Sequence, residues 1–365
     1  MVRRRKPLLE GLAAEAEADT ARELNRRKVA KAATDERKVA ALNARVRELE
    51  ADLLEAEAMR GVFSYVRENP LAPVSIKRRE KAGTHEATAF VILSDLHLEE
   101  VVDPAEVNGC NEFNPTIAAD RMDRLAVGTA WHIEVARSGY QIRELFLPCL
   151  GDVTTNYLRP EDMHGNAMTP MQGLVFASGE IVRYVRTVLA RCPYLERVYM
   201  PMVPGNHDRL SFSRSTPFNK RVGMSSAPVL SHIIATALAD EPRFVLELAG
   251  GEHHYTEIYG HTVRGMHGDR FNYAGGVGGI YVPARRHVMG LNKARHAHLT
   301  MFGHWHTAKM DDLWISNGSL IGPNAYSLAK ALDPEPPAQM FGVLDRDRGK
   351  RFVGPIHVAN LDRWY

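Results

Sequence analysis

Short apolar runs that end in clusters of metal-binding side chains are the feature that most constrains this 365-residue chain. The apolar runs cover residues 88–93, 145–150, 198–203 and 299–302, and each has the length of a buried strand. Between these runs, at 125–136 and 174–189, the apolar residues have the spacing of a helix. This alternation of strand and helix predicts an α/β fold with a partly parallel sheet.

Polar clusters follow these runs in chain order: Asp95 and His97; Asp152; Asn206, His207 and Asp208; His267; His304 and His306. Ligands of open α/β sheets bind outside the carboxyl ends of the strands, so we expect the five clusters to converge on one place. Any one cluster alone is equally compatible with a structural role, such as an Asx-type turn or a solvated histidine pair. Five in order favour a binding site.

Carboxylate, imidazole and amide ligands together suit borderline divalent metals such as Mn, Fe, Zn or Ni. Among these metals we expect Mn first, with Mg a further alternative. The chain has no G-x-S-x-G element, the motif that carries a serine nucleophile in α/β-hydrolases.

The remaining strands are predicted as antiparallel, at 244–248, 255–259, 340–344 and 351–358, with a hairpin turn at 345–350. At the N-terminus, residues 10–60 are rich in Ala, Glu, Lys and Arg without an internal Pro, which predicts a long helix. Val39, Leu42, Val46, Leu49 and Leu53 follow coiled-coil spacing over about two heptads. A helix that pairs with a second copy of itself, or that docks on its own domain, is favoured over an arm that binds a different partner. The predicted organisation is a charged helix over 1–68, a linker over 69–87 and one large domain over 88–365.

Composition excludes several classes of protein. The formal net charge is only +2, so overall charge indicates neither a nucleic-acid nor a membrane partner. No run of about 18 apolar residues is present, which excludes a membrane-spanning helix. Three cysteines without a C-x-x-C pair do not form a disulfide framework, and this favours a reducing cytoplasm.

At residues 88–325 the chain resembles the calcineurin-like metallophosphoesterase superfamily, through D-x-H at Asp95, G-D at Asp152, G-N-H-D at Asn206, a histidine at His267 and G-H-x-H at His304. The resemblance implies a four-layer α/β/β/α sandwich with a dinuclear metal centre in the 88–365 catalytic domain. It implies that Asp95, His97 and His306 bind one metal and that Asn206, His267 and His304 bind the other, with Asp152 bridging them. His207 would stand near the scissile phosphate, and Asp208 would orient it through a hydrogen bond.

Two metals about 3.5–4 Å apart would then lower the pKa of a bridging water and clamp the phosphoryl oxygens for in-line attack. Two features depart from the family pattern. Asn156 stands where many relatives have an acidic residue, and an apparent insertion occupies the 98–120 region and could border the substrate cleft. The run at 316–327 is similar to bacteriophage-encoded members related to the DNA-repair exonuclease group, which points to a bacterial or phage-infected host cytoplasm.

Basic residues near the motifs are compatible with a nucleic-acid substrate: Arg209, Arg285, Arg286, Lys293 and Arg295. A solvated helix face explains the last four equally well. Three hypotheses remain open. The favoured one is a nuclease acting on phosphodiesters. The second is a phosphatase or phosphodiesterase acting on nucleotides, cyclic nucleotides or another small phosphoester. The third is a scaffold whose N-terminal helix matters, by homo-oligomerisation for example.

Overall fold

The computed structural model describes residues 42–43, 45–46, 75–76, 85–158, 162–210, 221–272, 278–329 and 334–360. The chain divides into two compact units, Met1–Pro70 and Leu71–Tyr365. Most of the predicted 1–68 helix, with three of the five residues of its coiled-coil seam, lies outside the described residues. Within it, 42–43 and 45–46 are helical, and Leu42 and Val46 are exposed.

The described residues of the larger unit form two six-stranded sheets. The first sheet has the spatial order β12 (Gly349–His357), β11 (Ala338–Asp345), β2 (Glu86–Val91), β3 (Gln141–Phe146), β4 (Arg197–Met202) and β5 (Phe244–Leu248). The second has the order β1 (Ser75–Ile76), β6 (His253–Ile258), β7 (His261–Met266), β8 (Leu299–Phe302), β10 (Trp314–Ser316) and β9 (Lys309–Met310). β2 to β5 are parallel to one another, and so are β7, β8 and β10.

In the part of the chain that the structure describes, four longer helices accompany the sheets: α1 (Pro115–Arg137), α2 (Pro170–Arg191), α3 (Ala227–Ala237) and α4 (Tyr281–Ala294). Single helical turns occur at Asp162–Gly165 and Ala325–Ala329, and 3-10 turns at Pro104–Val107 and Val222–Met224. α1 and α2 begin earlier than the apolar spacing predicts, because Asn114 and Thr169 cap their first turns and a proline follows each cap. None of the described helices combines the length and hydropathy needed to cross a lipid bilayer.

Alternate residues of β2 show how the layers form. Ala89 and Val91 pack into a core with α1, α2 and α3, whereas Phe90 packs into a core between the two sheets. This alternation is the period-two geometry of a strand that is buried on both faces. A third core joins α4 to the outer face of the second sheet, where Val288 and Trp314 share one cluster. The order of layers is therefore α/β/β/α, which confirms the predicted sandwich.

Several local predictions differ from the structure. The run at 244–248 was expected to be antiparallel, but β5 pairs in parallel with β4. Ser75 and Ile76 lie in the predicted linker, yet they form an edge strand beside β6. The hairpin turn between β11 and β12 is confirmed. In the 98–120 region, Asn111 donates to the carbonyls of Ile321 and Pro323, which ties that segment to the chain after β10.

The two sheets meet where their strands end. Beyond β2, the amide of Asp95 donates to the carbonyl of Gly151, which follows β3 (3.2 Å). Beyond β8, the amide of Gly303 donates to the carbonyl of His267, which follows β7 (2.8 Å). The amide of His304 donates to the Asp95 carboxylate (2.9 Å), and this bond joins the two sheets. The strand ends of both sheets therefore form one shared edge.

Candidate metal centre

Six of the seven predicted metal ligands form two groups at this shared edge, and within each group the ligand atoms lie within 4.8 Å of one another. The first group, called site 1, contains Asp95, His97 and His306; the second, called site 2, contains Asp152, His267 and His304. The seventh residue, Asn206, lies beside site 2, with its Oδ1 3.0 Å from Nε2 of His267. Two groups of this composition fit two divalent metal ions.

The backbone at these residues is strained. Five of the six grouped ligands have a positive φ, between 48° and 71°: Asp95, His97, Asp152, His304 and His306. Side-chain-bearing residues rarely adopt this left-handed conformation, and such strain persists where the surrounding structure enforces it, commonly at functional sites. The strained turns allow side chains from both sheets to face one another.

Two glycines permit the close approach of these loops. A Cβ atom on Gly205 would lie 2.0 Å from Oδ1 of Asp152, and one on Gly303 would lie 2.3 Å from Oδ2 of Asp95. Neither contact is tolerable, so both positions require the absence of a side chain. The glycines in the G-N-H-D and G-H-x-H motifs are thus explained by contacts with Asp152 and Asp95, the two candidate aspartate ligands.

His97 provides the clearest test of whether a cation fits site 1. Its Nδ1 lies 2.9 Å from Oγ1 of Thr155, and its Nε2 is buried without a hydrogen-bond partner. An unpaired buried polar atom is costly, unless a ligand that the protein is built to hold completes it. Because Nδ1 is engaged by Thr155, Nε2 is the atom that His97 can offer to site 1, and a metal ion bound there would satisfy it.

His267 gives a second test, at site 2. Its Nδ1 lies 2.7 Å from the carbonyl oxygen of Leu150, which can only accept, so Nδ1 carries the proton. Its Nε2 faces Oδ2 of Asp152 at 3.0 Å, Oδ1 of Asn206 at 3.0 Å and Nδ1 of His304 at 3.3 Å. An imidazole lone pair and several acceptors converge there, so a positive charge is needed between them. A bound metal ion supplies it, and otherwise a proton must.

Each site contains one histidine with a lowered pKa and one with a raised pKa. Burial, with His207 nearby, lowers the pKa of His97 to about 3, and burial with His267 nearby lowers that of His304 to about 4. Both imidazoles are therefore neutral and able to bind a metal at pH 7. Burial alone would lower the pKa of His267, but Asp152 raises it to about 10. Burial would likewise lower the pKa of His306, but the hydrogen bond to Asp95 raises it.

His207 lies against site 1 without belonging to it, with its ring centroid 5.0 Å from that of His97. Its Nδ1 is 2.8 Å from the carbonyl oxygen of Thr155, so this nitrogen is a donor and Nε2 is left to exchange protons. The prediction that Asp208 orients His207 through a hydrogen bond is wrong. Oδ2 of Asp208 instead accepts from the amides of Gly205 (2.5 Å) and Asp152 (3.4 Å). Asp208 is 2% exposed and stabilises the backbone of two motifs.

Asn156, which departs from the family pattern, also supports His207. Its Nδ2 donates to the backbone carbonyls of His207 (3.3 Å) and Arg209 (2.9 Å). These carbonyls need donors, which a carboxylate at this position could not supply. The amide therefore stabilises the loop that carries the candidate catalytic histidine.

Sequence reasoning missed a buried polar network behind Asp95. Ser94 donates its hydroxyl to Oδ2 of Asp95 (2.6 Å), and Nδ2 of Asn317 donates to that hydroxyl oxygen (2.9 Å) and to Oε1 of Gln339 (3.0 Å). Ser94 and Asn317 are fully buried. The available signals were the position of Ser94 beside a predicted ligand and the polar 316–327 run, but neither indicates a contact between the two.

The predicted substrate-binding residues occupy different environments. Arg209 follows the G-N-H-D motif, and its carbonyl is held by Asn156. On α4, Arg285 pairs with Asp311 and Asp312, whereas Arg286 and Lys293 are exposed. The guanidinium carbon of Arg295, just after α4, lies 3.7 Å from the centroid of the Tyr255 ring. Substrate contact by these residues stays a prediction, and the paired aspartates weaken the case for Arg285.

No family model matches the chain, and no curated protein matches it. Among solved structures it is similar to a hypothetical protein, PH1004, from Pyrococcus horikoshii OT3, with 12% identity over 76% of this chain and 90% of that one and a TM-score of 0.38. It is also similar to Vps29 from Cryptosporidium parvum, with 13% identity, 74% and 97% coverage and a TM-score of 0.29. A Vps29 single mutant from Entamoeba histolytica has 10% identity, 74% and 98% coverage and a TM-score of 0.28. Likenesses of this size do not bear on activity.

Proposed function

We propose that this protein is a metal-dependent phosphoester hydrolase with two divalent ions, and that its substrates are nucleic-acid phosphodiesters. The observation that carries the hydrolase proposal is the pairing of sites 1 and 2 at one edge, with His207 beside them. Bound ions would supply Lewis-acid activation of the phosphoryl group and of a water molecule. The ordered motifs that resemble the metallophosphoesterases support the same chemistry.

The chain's own side chains account for the proton transfers. In hydrolysis, a water oxygen bonds to phosphorus and gives up one proton to solvent, the bond from phosphorus to the leaving oxygen breaks, and the leaving oxygen gains a proton. With Nδ1 of His207 fixed by the Thr155 carbonyl, its Nε2 is the atom that would hold and deliver that proton. Asn156 and Asp208 contact the backbone of the loop around it and so hold the loop in place.

The second candidate is a phosphatase or phosphodiesterase acting on a nucleotide, a cyclic nucleotide or another small phosphoester. The contact of Arg285 with Asp311 and Asp312 favours it, because that arginine is already neutralised on the surface where a polyanion would bind. The two candidates differ in salt dependence. Affinity for a polymer falls steeply as salt rises, whereas affinity for a small ester changes little.

Hydrolysis assays with Mn²⁺ test the proposal on duplex DNA, single-stranded DNA, RNA and bis-p-nitrophenyl phosphate. A double variant, Asp152→Asn with His207→Gln, serves as the inactive control, called the blank. We expect cleavage of a nucleic acid that the blank lacks. Turnover of the small ester alone would contradict the nuclease proposal and favour the second candidate. Absence of turnover on every phosphoester would contradict the hydrolase proposal and favour a scaffold, with the N-terminal segment as a homo-oligomerisation element.

A further inference from the structure

Thr155 is the residue through which site 1 and His207 are connected. Its side-chain oxygen lies 2.9 Å from Nδ1 of His97, and its backbone carbonyl oxygen lies 2.8 Å from Nδ1 of His207. The residue is 3% exposed, so water does not replace either contact freely. One residue therefore contacts both a metal ligand and the candidate proton donor.

The direction of these hydrogen bonds can be assigned from Glu100. The Thr155 hydroxyl donates to Oε2 of Glu100 (2.8 Å), and the amide of Asn324 donates to Oε1 of the same carboxylate (2.9 Å). A hydroxyl has one proton to donate. Since that proton goes to Glu100, the hydroxyl oxygen must accept from Nδ1–H of His97.

This assignment fixes the state of His97. With the proton on Nδ1, the lone pair is on Nε2, which is the buried atom without a partner. Metal-binding histidines commonly donate their second N–H to such a partner, which orients the ring and raises its basicity. We propose that Thr155 and Glu100 are positioning residues for the metal at site 1, acting as a hydroxyl–carboxylate relay on His97. The inference rests on the proposed two-metal function but concerns metal binding, which is measurable without a substrate.

The relay also makes a selective prediction. Thr155→Val keeps the shape of the side chain and the backbone carbonyl but removes the hydroxyl, so the contact to His207 survives. Among the described residues, the Thr155 side chain forms hydrogen bonds with His97 and Glu100, and neither of them belongs to site 2. The variant should therefore weaken one of two metal-binding events, by about 10- to 100-fold, and leave the other unchanged.

Calorimetric titration of the metal-free full-length chain with Mn²⁺ tests this, alongside Thr155→Ser and Glu100→Gln. We expect Thr155→Ser to restore wild-type affinity because it restores the hydroxyl, and Glu100→Gln to weaken the same event in the same direction. The matched control is Thr129→Val, which removes another buried hydroxyl, one that contacts Tyr184 between α1 and α2 (2.9 Å). It should leave both binding events unchanged.

Two outcomes would overturn the proposal. One is that Thr155→Val binds Mn²⁺ with wild-type affinity in both events. The other is that Thr129→Val loses as much Mn²⁺ affinity as Thr155→Val. If Thr155→Val does not fold, Glu100→Gln carries the same prediction with the same control. Normal metal binding without any phosphoester turnover would contradict the proposed function and leave the relay intact. A wild-type chain that binds no Mn²⁺ would overturn both.

Discussion

Nε2 of His267 lies 3.0 Å from Oδ2 of Asp152, while its Nδ1 is engaged by the carbonyl of Leu150. The two residues come from loops after strands of different sheets, β7 and β3, so their contact depends on how the sheets face one another. The acceptors that surround Nε2 require a cation, and this requirement leads to the first prediction.

Metal binding should release protons. Without metal, Asp152 keeps the pKa of His267 at about 10, so this histidine is protonated at pH 7 and a metal must displace that proton. Apparent Mn²⁺ affinity should therefore rise with pH, about tenfold per unit for each proton displaced. Calorimetry in buffers of different ionisation enthalpy measures the number of protons.

The control for proton release is His254→Gln, which alters a buried histidine that contacts Tyr199 outside both sites. Its proton release should equal that of the unaltered chain. Mn²⁺ affinity that does not change between pH 6 and pH 9 would contradict the prediction.

Gly205→Ala should disrupt site 2. The added Cβ would lie 2.0 Å from Oδ1 and 2.4 Å from the amide nitrogen of Asp152, and neither atom can move without shifting the motif. We expect a loss of about 1–3 kcal/mol in the free energy of unfolding, measured in urea, together with weaker Mn²⁺ binding. Gly250→Ala is the matched control, since its Cβ would meet nothing within 4 Å. Equal stability of the two variants would show that the contact is not restrictive.

His207→Gln should lower kcat without weakening Mn²⁺ binding, because His207 belongs to neither metal group. A general acid contributes about 10²- to 10⁴-fold. The loss should be larger for an alkyl phosphoester than for a p-nitrophenyl ester, whose leaving oxygen needs less protonation. A loss that is equal for both leaving groups would exclude proton donation by His207.

If nucleic acid binds along α4, the exposed Arg286 and Lys293 should contribute to the affinity, whereas the ion-paired Arg285 should not. Arg286→Ala and Lys293→Ala should each weaken DNA binding and reduce the slope of log affinity against log salt by about 1. Arg285→Ala serves as the internal comparison, because its guanidinium is bound to Asp311 and Asp312. Fluorescence anisotropy at several salt concentrations provides the measurement. Identical slopes in all variants would place the substrate away from α4.

Acid should destabilise the large unit partly through His253. Burial, with Arg264 nearby, lowers the pKa of His253 from 6.5 to about 4, so the folded state binds its proton less readily than the unfolded state. Its stabilising contribution is present above pH 6.5 and is lost as the pH falls from 6.5 to 4. His253→Gln should reduce the acid-induced loss of unfolding free energy by roughly 1–2 kcal/mol, allowing for partial exposure. The exposed His232 provides the control substitution, and a pH profile identical to wild type in His253→Gln would refute the assignment.

Much of the site could be predicted because its information is local. Asp95 and His97, or His304 and His306, stand two residues apart after an apolar strand, and ligand chemistry together with strand ends suffices to select them. Helix starts at Asn114 and Thr169 were recognisable in principle as caps followed by proline. The parallel pairing of β5 was not, because strand direction depends on the partner that the crossover reaches and not on the residues of the strand.

The sequence by itself determined which side chains are the candidate metal ligands, since a carboxylate or imidazole after a strand carries its chemistry wherever the strand lies. Only the tertiary structure decided how they are oriented. Thr155 is 58 residues from His97, and Asn317 is 223 from Ser94. Contacts at such separations leave no periodic pattern, because they arise from the packing of whole sheets. For the same reason Asp208, beside His207 in the chain, contacts the backbone of Gly205 and Asp152 instead. A buried carboxylate takes the nearest unpaired amides, and the fold alone determines where these lie.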